Sequence, residues 1–376
     1  MNYILKQYDN DLLYFTMENT HVGLDITVNR INKEYEKYLP LDLELTNNGL
    51  RKWLQKRTIP RNRAYVSNFL SRLGLNEKDT KGIIDICQGL SLNDSYWVVD
   101  EESQDRFEDK NLYDNSFNTN IASIAFTGYG SYTRSSFRSS PEFTTNGMLA
   151  KSWRRIKGHV LLYKSGTEGF ANSGLEPYSE YYASQVAEVM NLKHVEYGLS
   201  KWKGKLCSTC ELFTTKDMSY IAIGRLVKTG GIEAVMDFYK NLGEEYYQEL
   251  IDMLVFDAII LNEDRHFGNF GLLIDNHTNQ IIGTAPIFDN GLSLLCYAMD
   301  DDLKNVDQYV QTRQPATYQN FISFIQPYLT PRQKEKIRKL LNFHFTSTSQ
   351  YRLSKKRINV LEKVIHEQAM KLLDEK

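Results

Sequence analysis

The sequence predicts an α+β chain of two lobes, the second mainly helical, with an N-terminal extension. Three observations carry that prediction. The chain has 376 residues, more than a single module needs at roughly 100–200 residues per domain. Hydrophobic residues make up 41% and charged residues 24%, ordinary values that supply a sizeable core and exclude global disorder. Past residue 120, short apolar runs of strand character alternate with stretches of helical periodicity. Composition shifts set the boundaries. Residues 51–72 hold seven Lys and Arg and no acid, and 100–109 are mostly acidic. Residues 115–147 are rich in Ser, Thr, Gly and Asn and read as loops and short strands. The expected division is a largely helical N-terminal module of unassigned role (1–120), a small lobe with an antiparallel sheet (121–213) and a large, mainly helical lobe (214–376).

The elements follow in chain order. The apolar run HVLLY at 159–163, after Lys157-Gly158, fits a buried strand. Glu176-Pro177-Tyr178-Ser179 opens a helix, with Ser179 as N-cap and an apolar stripe at 183, 186/187 and 190. Residues 206–213 and 219–224 read as a strand pair. Residues 244–261 form a long helix with Leu250, Met253, Leu254 and Ala258 on one face, and Asp257 within it reads as a buried, paired structural acid. Two runs, 270–274 and 281–288, flank the polar turn 275–280 as a hairpin. Beyond 300 the chain reads as helical. Thr330-Pro331 is an N-cap followed by Pro at the first helical position, and 356–374 is an amphipathic helix.

Charge and cysteine usage remove several classes. A net charge of −2 excludes a strongly basic nucleic-acid coat. The basic stretch 51–72, with Trp53, Tyr65 and Phe69, reads as a solvated helix pair, so direct nucleic-acid binding is not expected. Four Cys cannot form a disulfide scaffold, which points to a reducing compartment. Cys207-x2-Cys210 lacks a second pair to complete four zinc ligands and reads as strand residues. The N-terminal residues show no signal-peptide pattern, and no apolar run approaches the ~20 residues of a membrane span. The expectation is a cytoplasmic protein without a membrane contact.

Chemistry concentrates in Asn262-Glu-Asp264-Arg-His-Phe-Gly-Asn269, between the long helix and the hairpin. Transfer of a phosphoryl group from ATP needs an acid that orients and accepts the proton of the attacking hydroxyl. It also needs an amide or carboxylate a few residues on, and a second carboxylate bridging metal and phosphates. Asp264 and Asn269 have that spacing, and the hairpin returns Asp289, in Phe288-Asp-Asn-Gly291, toward them. A lone loop acid is more often merely solvated; the three in helix–loop–hairpin order are hard to obtain by chance. Upstream, Lys164 ends the apolar run and suits a phosphate-binding lysine. Glu180 lies on the inward stripe of its helix, where a carboxylate is costly unless paired, and Lys164 is the expected partner. Before that strand, Gly147 to Lys151 could wrap phosphates with backbone N–H groups. Thr127-Gly-Tyr-Gly130 reads as a structural turn.

These residues resemble the HipA-like family of bacterial serine/threonine kinases, whose founding members are toxins of toxin–antitoxin pairs. The family's catalytic loop, Asp-x-His-x-x-Asn, matches Asp264, His266 and Asn269, and its metal-binding Asp matches Asp289. Its Gly-x-x-x-Lys segment matches Gly147 to Lys151, its acidic–x–Phe hinge matches Glu211-Leu-Phe213, and its helix start matches Ser179-Glu180. The resemblance covers about 140–300 and implies a bilobal kinase-like fold. It implies ATP and Mg²⁺ as cofactors, with Asn269 and Asp289 holding the metal. Asp264 would be the base and His266 would order the loop by hydrogen bonding. The nucleotide would meet Lys164, Glu180, Gly147, Lys151 and the backbone at Glu211 and Phe213. Self-phosphorylation near the Gly147 loop is a family trait, and Thr144, Thr145 and Ser152 are the nearby hydroxyls. The resemblance also implies a protein substrate, with aminoacyl-tRNA synthetases known among family targets, and an antitoxin partner. Two alternatives stay open: a kinase of lipids or small molecules, and a nucleotide-binding regulatory module without turnover.

Overall fold

The structure, a computed structural model, describes residues 1–21, 23–130, 140–346 and 350–374. The chain divides into two compact units. One is Met1–Lys164 with Glu211–Ile221 and Leu273–Ile282; the other is Ser165–Cys210, Ala222–Leu272 and Gly283–Lys376.

The first unit opens as a sheet, which corrects the largely helical reading of 1–120. Strands β1 (Asn2–Gln7), β2 (Asn10–Thr20) and β3 (Gly23–Ile31) form an antiparallel meander, and β4 (Tyr96–Asp100) pairs with the free side of β1. The order is β3-β2-β1-β4. Successive residues enter different cores. Tyr3, Leu5 and Val98 join one apolar cluster, while Ile4, Trp97 and Val99 join another. A strand buried on both faces shows no alternation of apolar and polar residues, so its period of two is hidden. The larger cluster takes Leu50, Trp53 and Leu54 from the helix Asn47–Gln55 and Phe69 and Leu70 from the helix Val66–Ser71. It continues through Ile121 and Ile124 to Phe143, across the expected boundary at 120.

Two expectations for this region change. The basic stretch is not simply solvated: Arg57 is buried in a bidentate pair with Asp94 at 2.7 and 2.8 Å, and Arg63 is buried as well. The Ser/Thr-rich stretch contains a helix, Thr119–Thr127, because Asn118 caps its first N–H groups and Gly128, at φ 77°, ends it. Residues 131–139 of that stretch lie outside the described residues. Strands β5 (Lys151–Ile156) and β6 (His159–Ser165) then form a hairpin. Its two-residue turn has φ 51° at Lys157 and 90° at Gly158, the geometry that matches strand twist.

The helix Glu176–Val189 follows, with Pro177 in its first turn. Ser179 is not its cap. It sits inside the first turns, buried, and donates to the Ser293 carbonyl at 3.0 Å. Strands β7 (Gly198–Trp202) and β8 (Lys205–Glu211) pair with each other. Strand β9 (Met218–Ala222) belongs instead with β10 (Gly271–Asp275) and β11 (Gln280–Thr284), in the order β11-β10-β9. The expected pairing of 206–213 with 219–224 is not formed: β9 takes β10 as its neighbour. The expected hairpin is β10–β11, whose second strand stops at Thr284.

The helix Glu244–Ile260 is buried at every position from Leu250 to Ile260. An element apolar all round belongs to a core rather than a surface. The helices Pro331–Arg338 and Lys355–Leu373 stand as expected, the first with Thr330 and Gln333 closing a capping box. No described helix is long and apolar enough to cross a membrane.

Candidate active site

The long helix ends abruptly. Leu261 adopts φ 54°, and the N–H groups of Leu261 and Asn262 both return to the Asp257 carbonyl. This reversal starts the loop that carries Asp264, His266 and Asn269. Asp257 is buried, and its carboxylate accepts Nε and Nη2 of Arg265 at 2.9 and 3.0 Å and the Asn262 amide at 3.0 Å. The Arg265 guanidinium continues outward. Nη1 donates to the carbonyls of Asn269 and Phe288, and Nη2 donates to Asn290 Oδ1 at 2.6 Å. One buried cation thus ties the end of the loop to both residues flanking Asp289. Burial opposes the charge on Arg265, but Asp257 outweighs it and holds the guanidinium above its ordinary value.

Within the loop, Asn269 Nδ2 donates to the Asp264 carbonyl at 3.1 Å and the Asn269 N–H to the His266 carbonyl at 2.9 Å. The amide nitrogen is spent on the loop, which leaves Oδ1 as the end suited to a hard cation. His266 is exposed, and its Nδ1 accepts the Gly268 N–H at 3.0 Å.

Asp289 has φ 58°, so the chain turns sharply at the carboxylate residue itself. Non-glycine residues rarely hold this conformation without outside support. Here the support is specific. The Asp289 N–H donates to the Tyr197 hydroxyl at 3.1 Å, and the Asn290 N–H donates to Glu180 Oε2 at 2.8 Å. Glu180 is buried and inward-facing, as its helical position predicts, and one task of its carboxylate is to hold this turn. Burial, then the charge of Glu180, pushes the Tyr197 hydroxyl well above its usual range, so it stays neutral.

The first unit holds the remaining candidates. Lys151 and Lys164 are direct cross-strand partners on β5 and β6, and both are buried. Like charges facing each other across a ladder repel unless other groups compensate them. Gly147 has φ 95°, and a Cβ there would lie 2.1 Å from Lys151 Nζ. The positive φ disfavours any side chain at 147, and a Cβ would also push the flexible end of Lys151 aside. Glu211 is exposed, 2.7 Å from His159 Nδ1, and the Phe213 ring packs edge-on to Tyr220 at 5.6 Å. Between them the Leu212 N–H donates to the Val160 carbonyl at 2.9 Å.

The three hydroxyls near the Gly147 loop are engaged internally. Thr144 is buried and donates to the Leu90 carbonyl, Thr145 donates to Pro141, and Ser152 is buried and donates to Glu142. Cys207 and Cys210 are residues of β8. Among the described residues no three His, Cys, Asp or Glu side chains cluster as a protein-only metal site. A magnesium ion shared with phosphates asks for fewer protein ligands than such a site.

The sequence reading missed Arg265, Asn262, Asn290 and Tyr197. Asp257 carried the one usable signal: a carboxylate in the buried half of a helix demands a buried cation, and Arg265 is the nearest one in sequence.

No protein-family model matches the chain. Over 151 residues it is 29% identical to the serine/threonine-protein kinase CtkA of Helicobacter pylori, a match covering 35% of this chain and 46% of CtkA. The chain therefore spans less than half the length of that curated relative. HipA of Shewanella oneidensis MR-1, solved as a toxin–antitoxin system with HipB and operator DNA, has a TM-score of 0.61 at 10% identity. That likeness covers 98% of this chain and 96% of the other. The crystal structure of the Helicobacter pylori proinflammatory kinase CtkA has a TM-score of 0.47 at 21% identity, over 59% of this chain and 91% of that one. The chain has a HipA-like kinase fold, and at 98% coverage the likeness takes in the first 120 residues too. The likeness to HipA shows the fold, and the CtkA match adds a partial similarity in sequence to a serine/threonine-protein kinase.

Proposed function

We propose that the chain is an ATP- and Mg²⁺-dependent serine/threonine protein kinase of HipA type, moving the ATP γ-phosphoryl group to a protein hydroxyl. The observation that carries this reading is the Arg265 hub. It binds the Asp264-to-Asn269 loop and the turn bearing Asp289 to one guanidinium, and so fixes the three proposed groups relative to one another. In this reading Asp264 orients the acceptor hydroxyl and takes its proton, while Asn269 and Asp289 are the metal ligands. A Mg²⁺ ion held by Asn269 and Asp289 would supply positive charge to offset that on the phosphates. Glu180 and Tyr197 keep Asp289 in its left-handed turn. Lys151 and Lys164 present two ammonium groups that suit a triphosphate, and Gly147 lets the loop approach closely. The 211–213 backbone is the adenine hinge. The lobes 121–213 and 214–376 divide this work, with 1–120 as support.

The CtkA match supports a protein acceptor over a lipid or small molecule, and an acceptor screen separates them. The complex of the Shewanella HipA with HipB supports an antitoxin partner, testable with the product of a neighbouring reading frame. An aminoacyl-tRNA synthetase is a reasonable first substrate, and the cytoplasm is the expected compartment.

The deciding experiment measures transfer from γ-labelled ATP by the unmodified chain and by Asp264→Asn and Asp289→Asn. Each variant should retain its fold and lose at least about 100-fold in rate, on the order of 3 kcal/mol of barrier. Activity equal to the parent in either variant refutes the assignment. Nucleotide binding with no turnover in the parent would support the regulatory-module alternative.

A further inference from the structure

We infer that Arg63 is a positioning residue for the 145–151 loop, and that holding this loop for nucleotide phosphates is a task of the N-terminal residues. The inference rests on the reading of that loop given above. Arg63 is buried, and its guanidinium grips both ends of the loop. Nη1 donates to the Thr145 carbonyl at 3.0 Å, and Nη2 donates to the Lys151 carbonyl. The next residue repeats the grip at the middle: the Ala64 N–H donates to the Met148 carbonyl at 2.8 Å. A third tie comes from Leu90, whose carbonyl accepts the Thr144 hydroxyl at 2.8 Å. All three ties run from residues 63–90 to 144–151.

The loop itself is poorly provided from within. Asn146 and Met148 are exposed at its tip, while Thr144, Ala150 and Lys151 at its ends are buried. A short loop with an exposed tip keeps its shape only as far as its ends are fixed. A planar guanidinium suits this task because its donors leave in fixed, divergent directions and reach two carbonyls at once. A lysine at 63 would be a single point charge.

Below the loop, Glu142 backs the arrangement. Its Oε1 accepts the Ser152 hydroxyl at 2.8 Å and the Trp153 N–H at 3.0 Å, and its Oε2 lies 4.0 Å from Arg63 Nη2. The carboxyl group faces Arg63 from a distance without occupying the donors that hold the loop. The guanidinium is thus aimed at the two loop carbonyls and not at its counter-ion.

An arginine serving only the core would stabilise the whole unit and leave nucleotide affinity untouched in any variant that folds. A positioning arginine acts first on the loop. The test uses the full chain with Arg63→Ala and Arg63→Lys, and two readouts. The first is hydrogen–deuterium exchange of peptides covering 145–151 without nucleotide. The second is the steady-state KM for ATP and for acceptor. Arg63→Ala should speed exchange across 145–151 by about tenfold or more, with the 159–165 strand unchanged. It should raise the KM for ATP by about tenfold while kcat changes by less than about threefold. Arg63→Lys should fall between, since it can reach one carbonyl at a time. A folded Arg63→Ala with parental exchange in 145–151 overturns the inference. So does a parallel loss in kcat with an unchanged KM for ATP. If Arg63→Ala does not fold, the same criteria apply to Arg63→Lys. If the parent shows no turnover, the proposed function fails while the exchange measurement still decides the role of Arg63.

Discussion

Two buried arginines organise the two loops that matter in this chain, and they do so under opposite electrostatic terms. Arg265 meets Asp257 in a bidentate pair at 2.9 and 3.0 Å and spends its remaining donors on Asn269, Phe288 and Asn290. Arg63 has its carboxyl partner, Glu142, only at 4.0 Å, and among the described residues neither Arg63 Nε nor Glu142 Oε2 has a hydrogen-bond partner. The consequences point in opposite directions. Arg265 is held above its ordinary value because Asp257 outweighs burial. Arg63 is lowered to about 10 because burial outweighs Glu142. A saturated ion pair makes a fixed hub, which suits a loop whose acid and amide must not drift. An under-satisfied one makes a weaker anchor, so the loop it holds should yield more readily than the loop held by Arg265. Buried polar groups left partly unmet are where a fold can give way at low cost.

The sharpest way to break this comparison is to remove each counter-ion. Asp257→Ala strands a fully buried guanidinium, and breaking a buried pair from one side costs about 3–5 kcal/mol. Against a total of about 5–15 kcal/mol for a native protein, that loss is severe. Glu142→Ala should cost clearly less, because the pair it breaks is long and Arg63 keeps both loop carbonyls. Urea denaturation of the two variants under one set of conditions checks the order. Equal losses would mean that the two arginines are held alike and that the contrast has no energetic content.

The asymmetry also explains what could be read from the sequence. The 262–269 loop, the Lys164 strand, the Glu180 helix and the β10–β11 hairpin were legible as elements because each follows a strong local pattern of apolar runs, periodicity or turn residues. The first sheet was not, because Tyr3, Ile4 and Leu5 enter two different cores and leave no alternation to detect. Ser179 read as a cap because it precedes an apolar stripe, yet Pro177 already starts the helix and Ser179 turns inward to Ser293. Arg63 lay in a stretch that looked solvated because charge runs usually are. Its partners, Thr145 and Lys151, stand some 80 residues away in sequence, and no local pattern announces a contact over that distance.

Glu142 offers a pH test of intermediate size. Burial raises its carboxyl from 4.5 to about 7, against the opposing pull of Arg63 and the bonds from Ser152 and Trp153. Between those two values the folded chain holds a proton that the unfolded chain has released. Stability from this group is therefore complete below about 4.5 and falls as pH rises through about 7. Glu142→Gln keeps an oxygen for Ser152 and Trp153 but cannot titrate, so its stability should fall less than the parent's between pH 5 and pH 8. The check is the denaturation midpoint of both chains at those two values. Parallel changes would show that Glu142 is ionised throughout, and the Arg63 pair would then resemble the Arg265 pair after all.

The smallest effect is expected at Ser152, and it separates a support of the carboxylate from a support of the loop. Ser152→Ala removes one of the two donors to Glu142 Oε1 and leaves the Trp153 N–H in place. The loss should be about 1 kcal/mol, the net worth of one intramolecular hydrogen bond. Because the lost donor favoured the charged carboxyl, the variant should show its decline in stability at higher pH than the parent does. Exchange across 145–151 should stay close to the parent's, since the bonds of Arg63 and Ala64 to that loop are intact. Loop exchange as fast as in Arg63→Ala would place Ser152, through Glu142, in the clamp itself, and the loop would then be held by the carboxylate as much as by the guanidinium.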